Sequence, residues 1–357
     1  MTAAVLCLAG AAHAQAPALK PAASKCRLGM VAEFDVKLER FRPLVRGRAN
    51  GQPMRLLVDT GAFSTTVWTS AARELHLRLA DIPGLQVIGV GGRARSSQST
   101  LAELEVGSLK YKNFHVLVTG EGRHDAEMLM GRDVLGRTDI EFDLAHGKMR
   151  LLTPKDCRDE EMPYWAEKGY SQAPIRRGGG LAAPVELDVQ LNGRTVRAIL
   201  DSGASTSVAT PAAASRSGVK LDGPQGKGGG IGPRQVTSQI GVLDTFTLGD
   251  ETIRKAKIRF ADLFQGTETA YTGTRIGERP DMPEMLLGAD FLRAHRVLIS
   301  PSHRMVYFTY EGGPVFDISK EAAEAGAETP LPQAPAAAPP PASGEPQAPA
   351  SRAPAGS

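Results

Sequence analysis

The chain has little of what many function classes require. Only three of its 357 residues are cysteine, at positions 7, 26 and 157, which excludes a CxxC redox or zinc motif. No histidine cluster at metal-ligand spacing accompanies them. Aromatic residues are scarce at 5%, and no stretch approaches the roughly eighteen consecutive apolar residues of a membrane-spanning helix. The formal net charge is only +3, without a long Lys/Arg run, so no nucleic-acid groove is implied. Catalytic signatures are missing too. Gly226-Lys227-Gly228 lacks the Ser or Thr of a phosphate loop, Gly89-Val90-Gly91-Gly92 does not complete GxGxxG, and GxSxG and HExxH do not occur.

What is present is a repeat. Leu56-Leu57-Val58-Asp59-Thr60-Gly61-Ala62 and Ala198-Ile199-Leu200-Asp201-Ser202-Gly203-Ala204 are both apolar runs ending in Asp, a small hydroxyl residue, Gly and Ala. Each pattern puts a carboxylate on a tight turn at the end of a buried strand. The offset of 142 also carries Asn50-Gly51 onto Asn192-Gly193. An Asn-Gly pair between apolar segments is a strong hairpin signal, so each Asp-bearing strand is the second arm of a hairpin. Downstream, Val87-Ile88-Gly89-Val90-Gly91-Gly92 is echoed by Gly228-Gly229-Gly230-Ile231-Gly232. Leu129-Met130-Gly131-Arg132-Asp133-Val134-Leu135 is echoed by Leu286-Leu287-Gly288-Ala289-Asp290-Phe291-Leu292 at an offset of 157. The drift in offset implies an insertion of roughly fifteen residues in the second copy, most simply from Gln265 to Pro283.

A lone Asp-Thr-Gly is an ordinary turn signal. Two copies, each preceded by a hairpin and followed by glycine-rich and apolar-apolar-Gly segments, resemble the retropepsin-type aspartic peptidases. The arrangement is similar to bacterial, envelope-targeted aspartyl protease family proteins with two tandem copies. The resemblance spans roughly residues 30 to 312. It implies an all-β, bilobal, pseudo-two-fold fold with short helices, in which residues 26–157 and 181–315 form the two lobes and 158–180 links them. By the same resemblance Asp59 and Asp201 are the catalytic dyad of an endopeptidase acting on polypeptides, with Thr60 and Ser202 bracing the two loops. Glycines 61 and 203 leave room at the carboxylates, and Gly131 and Gly288 pack beneath the Asp loops. Flaps over the cleft would be Gly89, Val90, Gly91 and Gly92 in the first copy and Gly230, Ile231 and Gly232 in the second, where Pro233 breaks the likeness. The implied chemistry is general acid/base activation of water, with no metal, cofactor or covalent intermediate. Ala62 and Ala204 follow the retroviral pattern and withhold a hydroxyl from each carboxylate, so the dyad is expected to work at milder acidity than pepsin. One chain supplying both Asp residues implies a monomeric unit; pairing of copies between chains is the alternative. A different class of reading is a non-catalytic envelope protein that keeps the cleft for peptide or partner capture.

The strand pattern includes Arg42 to Arg48, Met54 to Val58, Gln86 to Val90, Ser99 to Val106, His115 to Val118 and Met149 to Leu152, with a short helix over Ser70 to Leu79. His76 is expected to be a surface or packing residue of that helix rather than a ligand, and Trp68 to lie in the core or a subsite wall. Met1 to Ala14 is an apolar, small-residue stretch ending Ala12-His13-Ala14, the core and cleavage region of a signal peptide without a positive n-region. The mature protein is therefore expected in the periplasm or secreted. With Cys7 removed, Cys26 and Cys157 flank the first copy and form either a disulfide staple or two buried thiols. Tyr164 and Trp165 in the linker are expected to dock on a lobe. Residues 326–357 hold nine prolines among many alanines and are excluded from the fold.

Overall fold

The structure, a computed structural model, describes residues 26–120, 125–157, 162–178, 183–223, 226–232, 234–263 and 282–316. The stretch expected to be a signal peptide, the Pro/Ala-rich tail and Pro233 lie outside the described residues, as does nearly all of the stretch assigned to the insertion. The protein is mostly β, in two lobes. The elements on either side of the insertion agree with its placement: Leu109–Thr119 is followed by a strand at Met128–Met130, whereas Glu251–Ala261 is followed by one only at Met285–Leu287.

Local chemistry explains the start of each lobe. Asn50 and Gly51 have φ of 49° and 80°, and Asn192 and Gly193 have 50° and 76°. Two consecutive left-handed residues make a turn whose twist matches that of the flanking strands. Strand Arg42–Ala49 therefore folds back on Gln52–Val58, and Glu186–Leu191 on Arg194–Leu200. In each lobe the Asp-bearing strand then pairs in parallel with the apolar-apolar-Gly segment, Leu57 opposite Leu129 and Ile199 opposite Leu286. That segment also pairs antiparallel with the strand leaving the Asp loop, Thr66–Trp68 or Val208–Ala209. The strand carrying the carboxylate is thus held on both flanks, and Leu56, Val58 and Leu200 are fully buried.

Among the described residues four short helices follow at repeated places: α1 (Thr69–Glu74), α2 (Arg132–Leu135), α3 (Pro211–Arg216) and α4 (Ala289–Ala294). Helix α1 is shorter than the sequence suggests. It stops because His76 turns left-handed at φ 51°, and Ala80 is then captured by hydrogen bonds to Gln98. His76 is exposed just past the helix end, and Trp68 is buried at the helix start.

The lobes are joined by a six-stranded sheet that neither copy makes alone. Its order is Arg27–Asp35, Lys148–Lys155, Asp139–Asp143, His295–Ser300, Met305–Tyr310 and Ser171–Pro174. The lobes meet where Ile140 faces Ile299 and Phe142 faces Val297, and their apolar side chains run into one continuous core. Cys26 and Cys157 are joined by a disulfide at one edge, with Cα atoms 4.2 Å apart. The linker aromatics dock on this shared sheet. The Trp165 indole donates to Thr309 Oγ1 at 2.8 Å, and the Tyr164 hydroxyl donates to Glu141 Oε2 at 2.7 Å. Glu141 is fully buried, which is tolerable because Arg150 and Arg296 reach its other oxygen at 2.6 and 2.7 Å.

Candidate active site

The two Asp loops leave the ends of Gln52–Val58 and Arg194–Leu200 and meet at the seam between the lobes. Their contact is a reciprocal exchange of hydrogen bonds. Thr60 Oγ1 donates to the Leu200 carbonyl at 2.6 Å and accepts from the Ser202 amide at 3.0 Å. Ser202 Oγ donates to the Val58 carbonyl at 2.7 Å and accepts from the Thr60 amide at 3.0 Å. Both hydroxyl residues are fully buried. Each therefore ties off the carbonyl and amide beside the other lobe's aspartate, groups that would otherwise be left unpaired away from water. A short hydroxyl is required on both sides.

Each carboxylate is cupped by its own loop. Asp59 Oδ1 accepts from the amides of Gly61 and Ala62 at 2.9 and 3.0 Å, and Asp201 Oδ1 from those of Gly203 and Ala204 at 2.9 and 3.2 Å. The glycines answer to the opposite lobe. A Cβ on Gly61 would lie 2.7 Å from the Asp201 carboxyl carbon, and one on Gly203 would overlap the Asp59 carboxylate. The reason for glycine is thus the partner's carboxylate, across the two-fold, more than the amides of its own loop.

The two carboxylates are partly exposed at the floor of the seam and hydrogen-bond each other. Burial, then the charge of Asp201 and its hydrogen bond, hold the Asp59 carboxyl well above the usual carboxylate range. Burial also raises Asp201, against the pull of the hydrogen bond from Asp59, the amides of Gly203 and Ala204 and the positive charge of Arg42. Two neighbouring carboxylates under these conditions share a proton, and the titration belongs to the pair.

Under the loops lie Gly131 and Gly288. A Cβ on the first would come within 2.5 Å of the Ser64 carbonyl carbon, and one on the second within 2.7 Å of that of Thr206. The residues two places further on, Asp133 and Asp290, receive no role from sequence reasoning, yet they anchor the loops. Asp133 Oδ1 accepts from the Thr65 amide at 2.9 Å and hydroxyl at 2.7 Å. Asp290 accepts from the Ser207 amide at 2.8 Å and hydroxyl at 2.7 Å, and burial pushes its carboxyl up to about 6. The recurrence of Asp in both copies of the apolar-apolar-Gly motif is the signal that could have found them.

The glycine-rich segments come together. In the first lobe Gln86–Gly89 pairs with a strand beginning at Gly92, leaving Val90 and Gly91 as the turn, with Gly91 at φ 89°. In the second, the loop after Gly226–Gly228 carries Gly230, Ile231 and Gly232. The tips bond across the lobes, the Gly232 amide to the Val90 carbonyl and the Arg234 amide to that of Gly91, both at 3.1 Å. Close approach demands the glycines here: a Cβ on Gly89 would lie 2.6 Å from the Ile231 side chain, and one on Gly230 would lie 2.9 Å from that of Val90. Val90 of the first tip and Ala204 of the second Asp loop both pack against the second lobe's cluster of Val236, Ala261, Leu263 and Leu286.

Fold and site together define a bilobal β protein with a paired-carboxylate centre at the lobe seam, built from a duplicated unit. A family model for aspartyl proteases matches residues 45–134 and 187–291, more than half of the chain, and the chain belongs to that family. The matched regions hold one Asp loop each. No curated protein matches the sequence. Among solved structures, an aspartic proteinase from Irpex lacteus is similar at 11% identity and a TM-score of 0.46, covering 80% of this chain and 97% of its own.

Proposed function

We propose that the chain is an aspartic endopeptidase that hydrolyses polypeptides with Asp59 and Asp201 as its dyad. The observation that carries this reading is the cross-braced pair of largely buried carboxylates, each cupped by two amides and hydrogen-bonded to the other. In the reaction, the ionised member takes a proton from a water lying between the pair, and the water oxygen attacks the scissile carbonyl carbon. The protonated member donates its proton to the carbonyl oxygen. As the gem-diol collapses, the amine takes up the proton held by the first carboxylate and the second carboxylate takes one back from a gem-diol hydroxyl, so the C–N bond breaks to leave an acid, an amine and a dyad that again holds one proton. The meeting flap tips support enclosure of an extended peptide above the dyad. A cleft serving only for capture has no use for two carboxylates that raise each other's proton affinity, which disfavours the binding-protein alternative. The reading includes action in the periplasm or outside the cell, supported by the Cys26–Cys157 bridge, since such bonds persist in oxidising compartments.

The test is hydrolysis of a peptide library by the purified protein, with and without pepstatin. Asp59→Asn and Asp201→Asn should each abolish cleavage while leaving the circular dichroism spectrum unchanged. Full activity in either variant would sink the assignment, and activity regained on mixing the two would place the dyad between chains.

A further inference from the structure

A second cleft, of about 670 Å³, opens at the edge of the six-stranded sheet beside Ser171–Pro174 and Met305–Tyr310, and no residue of the Asp loops or flap tips lines it. Its walls come from three places that only the tertiary fold unites: the linker with Trp165 and Tyr170, the last strand with Tyr310, and the hairpin turn at Glu251. In a chain with few aromatics this is a concentration of ring surface, and the Tyr310 side belongs to a residue 57% exposed.

Three carboxylates also line it, those of Glu167, Glu251 and Glu311, against one cation, Lys168. Two are fixed in place. The Trp165 indole donates to Thr309 Oγ1 at 2.8 Å, and that hydroxyl donates to Glu311 Oε1 at 2.8 Å, so one relay orients both the ring and the acid. Glu251 Oε1 lies 3.1 Å from Nε2 of the fully buried His295, whose ring stacks on Phe291 at 4.1 Å and meets Tyr310 edge-on at 5.7 Å. Glu251 faces His295, which leaves the carboxylates of Glu167 and Glu311 set against Lys168. Neither Glu167 nor Lys168 makes a side-chain ion pair among the described residues. Glu311 keeps Oε2 unused in the same sense. Trp165 already shows its affinity for a planar cation, since the Arg296 guanidinium stacks over its ring at 4.5 Å.

We propose that this cleft binds one basic side chain, an arginine or lysine, of a polypeptide. Pre-set aromatic faces and carboxylates recognise such a cation by cation–π contact and charge-assisted hydrogen bonds, with little ordering left to do on binding. That the polypeptide is a substrate rests on the peptidase reading. The cleft then acts as an exosite, holding a basic residue remote from the scissile bond.

The two parts are tested separately. Binding is measured on the full chain carrying Asp201→Asn, by tryptophan fluorescence and calorimetry, with N-acetyl-arginine amide and the uncharged N-acetyl-citrulline amide as probes. Trp165 is one of two tryptophans, and the other, Trp68, is 5% exposed. Saturable binding of the arginine probe is expected, weakened about tenfold or more by citrulline, by Glu311→Gln and by Tyr310→Ala. No saturation, equal binding of citrulline, or parent-like affinity in both variants overturns the site. With the dyad intact, Tyr310→Ala should raise KM for a peptide bearing a distal arginine and leave kcat and the arginine-free peptide unchanged. Equal losses on both peptides overturn the exosite role. A parent chain that binds the arginine probe yet cuts no peptide upholds the site and refutes the peptidase reading.

Discussion

The exchange of hydroxyls between the Asp loops yields the sharpest stability prediction. Thr60→Val keeps the shape of a fully buried side chain and removes only its oxygen. Two bonds disappear: the Leu200 carbonyl loses its donor at 2.6 Å and the Ser202 amide its acceptor at 3.0 Å. Neither group gains access to water, because Leu200 and Ser202 are both fully buried. An unsatisfied buried polar group costs about 1–3 kcal/mol, so the pair costs about 2–6 kcal/mol. A domain is stable by only about 5–15 kcal/mol, so the loss is a large fraction of the total. Urea unfolding followed by circular dichroism measures it as a lower midpoint at unchanged slope. Ser202→Ala, which strands the Val58 carbonyl and the Thr60 amide, should cost a similar amount. Because the brace also sets the distance between the carboxylates, kcat should fall in either variant on the order of 10- to 100-fold. A Thr60→Val protein within about 0.5 kcal/mol of the parent, the scale of an ordinary surface substitution, and with parental kcat would refute the claim that these hydroxyls hold the lobes in register.

Three further outcomes are expected. Replacing both Cys26 and Cys157 by Ser reopens a link of sequence separation 131 and should cost about 4–5 kcal/mol by the chain-entropy model; unchanged thermal stability would show that the edge strand is held without it. Asp290 has its folded carboxyl pushed up to about 6 from an ordinary 3.8, so the fold prefers it protonated. Its stabilising effect is complete below about pH 4 and is lost as pH rises to about 6, by up to about 3 kcal/mol. Asp290→Asn should flatten that fall in unfolding free energy, and a variant whose pH profile runs parallel to the parent would contradict it. Finally, Ala62→Ser with Ala204→Ser adds a donor to the ionised carboxylates and should move the acidic limb of the pH–rate bell downward from its parental position; an unmoved limb in an active double variant would mean that the outer carboxylate oxygens are already satisfied.

Much of this protein is written within a few residues at a time. Asn50-Gly51 and Asn192-Gly193 adopt left-handed turns for reasons internal to those pairs, and each turn folds an apolar strand back so that an Asp emerges at its end. Repetition at a constant offset marks the two Asp, hydroxyl and glycine runs as one unit used twice, although what requires those hydroxyls and glycines lies in the other lobe. The tertiary structure alone decided what these units do to each other. The pairing of Ile140 with Ile299 joins strands about 160 residues apart, and no turn chemistry encodes it. The same holds for the meeting of Val90 with Gly232, the docking of Trp165 on Thr309, and the anchoring of Ser207 by Asp290. Helix α1 shows the converse: its periodicity continues to Leu79, but backbone pairing of Ala80 with Gln98 ends it early. Local sequence fixes turns because a turn's energy depends on four residues. Which buried surfaces and unpaired groups meet depends on the whole core, where a carbonyl such as that of Leu200 must find its donor in the other lobe.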